Sequence, residues 1–211
     1  MEILKEILKT KIRKNKSALV VSVFFVAIFG IMQAMETRSA STAQVDLSVE
    51  VASAIDISCP SPSAFGTLTA GTPENTNATC TVTTNSVNGY ILQIKKDSTT
   101  TLTSGAYSIA DKTAWDSGTP NSALWTGTGL GFRVMNTGTD EGYIPTWWGT
   151  DDTIANALYA GLPAAYDTIL NDSTYSASAT ETVVEFKVDV SASQASGTYT
   201  GTATFQSTVN P

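Results

Sequence analysis

The sequence predicts an all-β fold of two sheets packed face to face, preceded by an amino-terminal signal or anchor helix. Three observations predict it. Apolar residues recur with a period of two in several separate stretches, the pattern of strands with one buried face. Beyond residue 43 the chain is rich in Thr, Ser, Gly, Ala and Val and poor in Lys, Glu and Leu, a composition that favours strands over helices. Polar turn sequences separate the stretches, and about seven strands so arranged suit a sandwich.

The amino-terminal segment comes first. Lys5, Lys9, Lys11, Arg13, Lys14 and Lys16 precede an uncharged run, Ser17 to Met35. A basic stretch, an apolar stretch and then small residues is the layout of an export signal. Ser41-Thr42-Ala43 supplies the small residues, which predicts cleavage after Ala43. The run is also about long enough to span a bilayer, so an uncleaved anchor is the competing reading. In either case the basic flank stays cytoplasmic, the rest is extracellular or at the cell surface, and contact with membrane is confined to residues 1–43.

Seven of the 12 Lys+Arg and three of the 19 Asp+Glu lie in residues 1–43. The remainder carries five basic against 16 acidic residues, a net charge of −11. Such a surface repels nucleic acid and anionic lipid, which argues against DNA or RNA as a partner.

Residues 44–53 read as an extension and residues 54–211 as one β domain. In "QVDLSVEVASAIDISC" the odd positions Val45, Leu47, Val49, Val51, Ile55, Ile57 and Cys59 are apolar and most even ones polar. Fifteen residues would run roughly 50 Å as one strand, against roughly 17–20 Å for a common one. The small triplet Ala52-Ser53-Ala54 divides it into Val45–Val51 and Ala54–Cys59. Cys80, Val82, Tyr90, Leu92 and Ile94 then alternate with polar residues across a turn at Asn88-Gly89, a pair that tolerates positive φ. "LGFRVM" (130–135) and "GYIPTWW" (142–148) read as strands, and "DDTIANALYAGLPAAYDTIL" (151–170) as a region with a helical turn or two. "VVEFKVDV" (183–190) and "TYTGTATFQSTV" (198–209) read as an antiparallel hairpin.

Cys59 ends one inward-facing stretch and Cys80 belongs to the next. In an exported protein a lone pair of cysteines forms a disulfide, and the spacing and surroundings lack the features of a redox-active thiol.

Several residues together resemble a known family. An alternating extension leads into Cys59; "FGTL" (65–68) follows, then Cys80 with the Tyr90 stretch behind it, and near the end "SGTYTGTATF" (196–205). In order and spacing this resembles the spore coat protein U domain and the pilins of archaic chaperone–usher systems, over residues 45–96 and 196–209. The resemblance implies an immunoglobulin-like sandwich lacking one strand, whose groove takes the extension of a neighbouring subunit. Val45, Leu47, Val49 and Val51 would then be the donor residues, Cys59–Cys80 the staple, and the partners further copies or other surface subunits. Leu68 stands where the family has an aromatic, which leaves open a self-complete, membrane-anchored surface domain.

Catalysis is not expected. The chain has no histidine, so neither a Ser-His-Asp nor a Cys-His arrangement can form. The carboxylate pairs Asp140-Glu141 and Asp151-Asp152 read as solvated acids rather than as a glycosidase pair or a calcium loop; no metal or cofactor is expected. Trp115, Trp125, Tyr143, Trp147 and Trp148 crowd the irregular middle. If Trp147-Trp148 lie on a strand, one faces outward and could stack on a sugar, which would make the protein a glycan-binding adhesin.

Overall fold

The computed structural model describes residues 42–61, 64–137, 142–176 and 178–211. The predicted signal or anchor lies almost wholly outside the described residues, as do Asp140 and Glu141. The chain divides into two compact units, 1–50 and 51–211. In the first, residues 42–50 are exposed and carry no regular secondary structure.

The regular secondary structure of the second unit is nearly all strand. Its elements are β1 (Ile55–Ser58), β2 (Glu74–Thr84), β3 (Tyr90–Lys96), β4 (Leu102–Ser104), β5 (Tyr107–Ile109), β6 (Ala123–Leu124), β7 (Gly129–Val134), a short helix α1 (Pro145–Trp148), β8 (Leu158–Tyr159), β9 (Asp167–Asp172), β10 (Thr180–Asp189) and β11 (Ala203–Val209). One antiparallel sheet runs β1-β2-β10-β7 and a second β11-β3-β9; β4-β5 and β6-β8 form two small ribbons.

Both larger sheets feed one buried cluster. Ala78, Cys80 and Val82 of β2 and Val184, Phe186 and Val188 of β10 enter it from the first; Tyr90, Leu92 and Ile94 of β3 enter from the second. These are the alternating positions of the sequence, and burying such side chains is the main favourable term in the fold. β10 is unusual in that Glu185, Lys187 and Asp189, on its other face, are buried as well. Trp125 and Tyr159 lie over Lys187, Tyr159 bonds Glu185, and Asp189 accepts from the Gly71 N–H.

Four expectations are corrected. First, β10 and β11 are not a hairpin: β10 pairs with β2 and β7, β11 with β3, so the intervening loop carries the chain from one sheet to the other. Alternation reveals which face of a strand is buried but not which strand lies beside it.

Second, "GYIPTWW" is not a strand. Pro145 opens α1, where its fixed φ and missing N–H suit the first helical position, and the helix ends after Trp148 at Gly149 with φ +102°. Third, the stretch 151–170 does hold one helical turn, where the Asn156 and Ala157 N–H groups donate to the Thr153 carbonyl, but the rest of it contains β8 and most of β9, which were not expected. β9 hides its period because Leu92 pairs with Leu170 and Gln93 with Thr168, leaving Ile169 as a bulge. Fourth, the turn after β2 is closed by the Gly89 N–H donating to the Ser86 carbonyl, with Val87 and Asn88 at its centre. Gly89 alone takes positive φ, and a Cβ there would overlap the Asp172 carbonyl.

Candidate functional site: an open strand edge above an apolar cleft

Cys59 follows β1 and Cys80 lies at the middle of β2; they form the disulfide, with Cα atoms 4.2 Å apart. Cys80 is fully buried and Cys59 packs against the core. The bridge ties the edge strand β1 to its neighbour where the chain leaves for "FGTL", and Phe65 and Leu68 of that segment are half-buried against the core.

Beside them lies a cleft of about 380 Å³. Its apolar lining includes Phe65, Ala78, Leu102, Phe186, Tyr199 and Phe205. A second cleft of about 630 Å³ shares Phe65, Leu102 and Tyr199 with the first and continues to Leu68, Ile109 and Val190. Among the described residues, no charged one lines either cleft. Close backbone approach shapes the floor: Thr103 and Thr200 exchange main-chain hydrogen bonds of 3.0 Å, and a Cβ at Gly201 would overlap the Thr101 carbonyl.

The first cleft reaches the start of β11, at Ala203 and Phe205. The Asp97 N–H donates to the Thr202 carbonyl (3.3 Å) and the Asn210 N–H to the Gly89 carbonyl (3.1 Å), so the even-numbered residues turn their main-chain groups toward β3. By the alternation of an antiparallel ladder, the N–H and C=O groups of Ala203, Phe205, Ser207 and Val209 face the other edge. Among the described strands none pairs there. Such an edge is a template for another strand.

The four predicted donor residues are exposed. Val45, Leu47, Val49 and Val51 are 79%, 92%, 89% and 77% exposed. An alternating apolar row of this kind is normally half buried, and here it lies in water.

The tryptophans are placed differently from the glycan reading. Trp148 has no exposed surface, and its indole N–H donates to the Ile169 carbonyl at 2.9 Å. Trp147 is half-buried and edge-on to Trp115, with ring centroids 5.2 Å apart. A helix, unlike a strand, does not send neighbouring side chains to opposite faces, so the expected strand geometry of the pair is absent; Trp148 is buried and Trp147 keeps part of its surface.

The remaining polar groups form a structural cluster on the outer face of β7 and β10. Arg133, almost wholly buried, pairs with Asp152 at 2.8 Å and with Glu185 at 3.5 Å, and the Tyr159 hydroxyl donates to Glu185. Burial opposes the Arg133 charge, but Glu185, Tyr159 and Asp152 outweigh it and hold its pKa above the ordinary value. Burial first, then the bond to Glu185, pushes the Tyr159 pKa well up; burial pulls those of Lys187 and Lys112 down. Asp151 accepts from the Thr153 N–H and hydroxyl and from Asn156, which lowers its pKa. Asp151 and Asp152 thus serve a turn and an ion pair, and among the described residues no three carboxylates or thiols converge on a metal site.

Several lining residues, Leu102 and Phe186 among them, carried no sequence signal of a cleft, because an unfilled position in a sheet is a property of strand order. Compared with protein-family models, with curated proteins and with solved structures, the chain matches none.

Proposed function

We propose that the chain is an exported structural component of a cell surface that assembles by strand donation, Val45–Val51 of one copy filling the cleft of the next. The carrying observation is the conjunction of an unpaired β11 edge above an uncharged apolar cleft with an exposed, alternating apolar segment. Strand order supports it. With β1, β2, β7 and β10 as the A, B, D and E strands of an immunoglobulin-like sandwich, β3 takes the place of C and β11 that of F. The seventh strand, G, would lie on the open edge of β11.

The dimensions agree. β11 has seven residues and so does Val45–Val51. A strand of that length spans about 23 Å. Its main chain would satisfy the outward groups of β11, while alternate side chains enter the cleft and Asp46, Ser48 and Glu50 stay in water. Four aliphatic side chains leaving water make about 1.5–3 kcal/mol each available, before the cost of ordering the segment. That the occupant comes from another copy rather than an unrelated protein rests on the match between this chain's own segment and its own cleft.

The test compares the chain lacking residues 1–43 with one lacking 1–51. The longer form is expected to give oligomers by size exclusion and electron microscopy; the shorter is expected to remain a folded monomer that binds a Val45–Val51 peptide. A shorter form that oligomerises equally well, or that ignores the peptide, would refute the proposal.

A further inference from the structure

The segment joining the donor residues to β1 is held chiefly by the side chain of Asn85, with help from Thr84. β2 ends at Thr84, opposite Ile55, and has no further main-chain partner for the residues that precede Ile55 beyond Ala54. Asn85 supplies one. Its Oδ1 accepts from the Ala54 N–H at 2.6 Å and its Nδ2 donates to the Ala52 carbonyl at 3.0 Å. The Asn85 N–H and the Thr84 hydroxyl also donate to the Ala54 carbonyl, at 3.3 and 2.8 Å. A side-chain amide carries a donor and an acceptor like a peptide group, so Asn85 extends the ladder by one step and keeps Ala52–Ala54 in line with β1.

The direction of that line matters. β1 begins beside the last residue of β2, β3 begins just after the 85–89 turn, and β11 ends at Val209 opposite Tyr90. The start of β1 and the finish of β11 therefore lie at the same end of the two sheets. For residues 45–51 to lie along the β11 edge of their own chain, the backbone would have to reverse within Ala52–Ala54. Those are the residues whose carbonyl and N–H groups the Asn85 amide bonds.

Resting on the strand-donation reading, we infer that Asn85 is a positioning residue that keeps the donor segment out of its own cleft and so commits it to a second copy. Losing the amide removes two hydrogen bonds that oppose reversal, and at the usual worth of such bonds the ratio of self-closed monomer to assembled chain rises about tenfold.

Two variants test this in the chain lacking residues 1–43, read as the monomer fraction on dilution that refuses a labelled Val45–Val51 peptide. Asn85→Ala is expected to raise the ratio of that fraction to the assembled chain about tenfold, with Asn85→Asp, which keeps only the acceptor, in between. A flexible Gly-Ser insertion between Val51 and Ala52, upstream of the clamp, is expected to raise it with Asn85 intact; this arm does not depend on the 85–89 turn tolerating substitution. Unchanged assembly in both variants overturns the role of Asn85 while leaving strand donation standing. A parent chain that does not assemble, with a 1–51 deletion that takes up no peptide, removes the donation reading itself.

Discussion

Trp115 and Trp148 pack with ring centroids 4.5 Å apart and send their indole N–H groups to successive carbonyls of β9, those of Thr168 and Ile169, at 2.7 and 2.9 Å. Successive carbonyls of a regular strand point opposite ways. The register shift that leaves Ile169 unpaired interrupts that alternation, and the two indoles bond the carbonyls of Thr168 and Ile169 there.

Trp148→Phe keeps most of the ring but leaves the Ile169 carbonyl unpaired in the core. The expected cost is about 1–3 kcal/mol in urea unfolding. Trp148→Ala, which also opens a cavity, should cost more, about 3–5 kcal/mol.

The disulfide closes a loop with a sequence separation of 21 residues. Replacing both cysteines by Ala is expected to lower stability by about 3 kcal/mol in the chain-entropy model. Chemical denaturation of the oxidised protein against the double variant measures it. Equal midpoints would show that the bridge contributes nothing at equilibrium.

Arg133 lies almost wholly buried between Glu185 and Asp152. Arg133→Met strands the Glu185 carboxylate and should destabilise by about 3–5 kcal/mol. Adding Glu185→Gln should recover part of that loss, because the carboxylate left without its cation is then gone. A double-mutant cycle in urea reads the coupling directly.

Tyr159 gives a pH signature. Its pKa is raised on folding, so the folded chain keeps a phenol proton that the unfolded chain releases near pH 10. The stability it contributes is complete below about pH 10 and declines as pH rises beyond. Lys112 and Lys187, whose pKa values burial lowers, act with the opposite sign just below the ordinary lysine range. Tyr159→Phe isolates the phenol: its stability deficit at pH 8 should shrink steadily above pH 10. A deficit constant to pH 11.5 would contradict the assignment.

Much of the fold was legible from residue order alone. The two-residue rhythm of Val184, Phe186 and Val188, or of Tyr90, Leu92 and Ile94, fixes both strand and buried face, because burial acts on each residue through its own neighbours in sequence. The cysteine pairing was legible for a similar reason, with only two thiols to join. The exposed row Val45–Val51 was recognisable as an apolar alternation.

What residue order left open is everything that depends on which strand lies beside which. β10 and β11 have matching patterns yet belong to different sheets, and the bulge at Ile169 conceals β9 by placing two apolar residues in succession. Pro145 turned an apparent strand into a helical turn and took the tryptophan pair inward. The open edge of β11 and its cleft exist only once the partners of every other strand are known, since a vacancy in a ladder is a relation among distant segments. Tertiary structure decided those relations because hydrogen-bond pairing and side-chain fit between strands are non-local, and no local pattern encodes them.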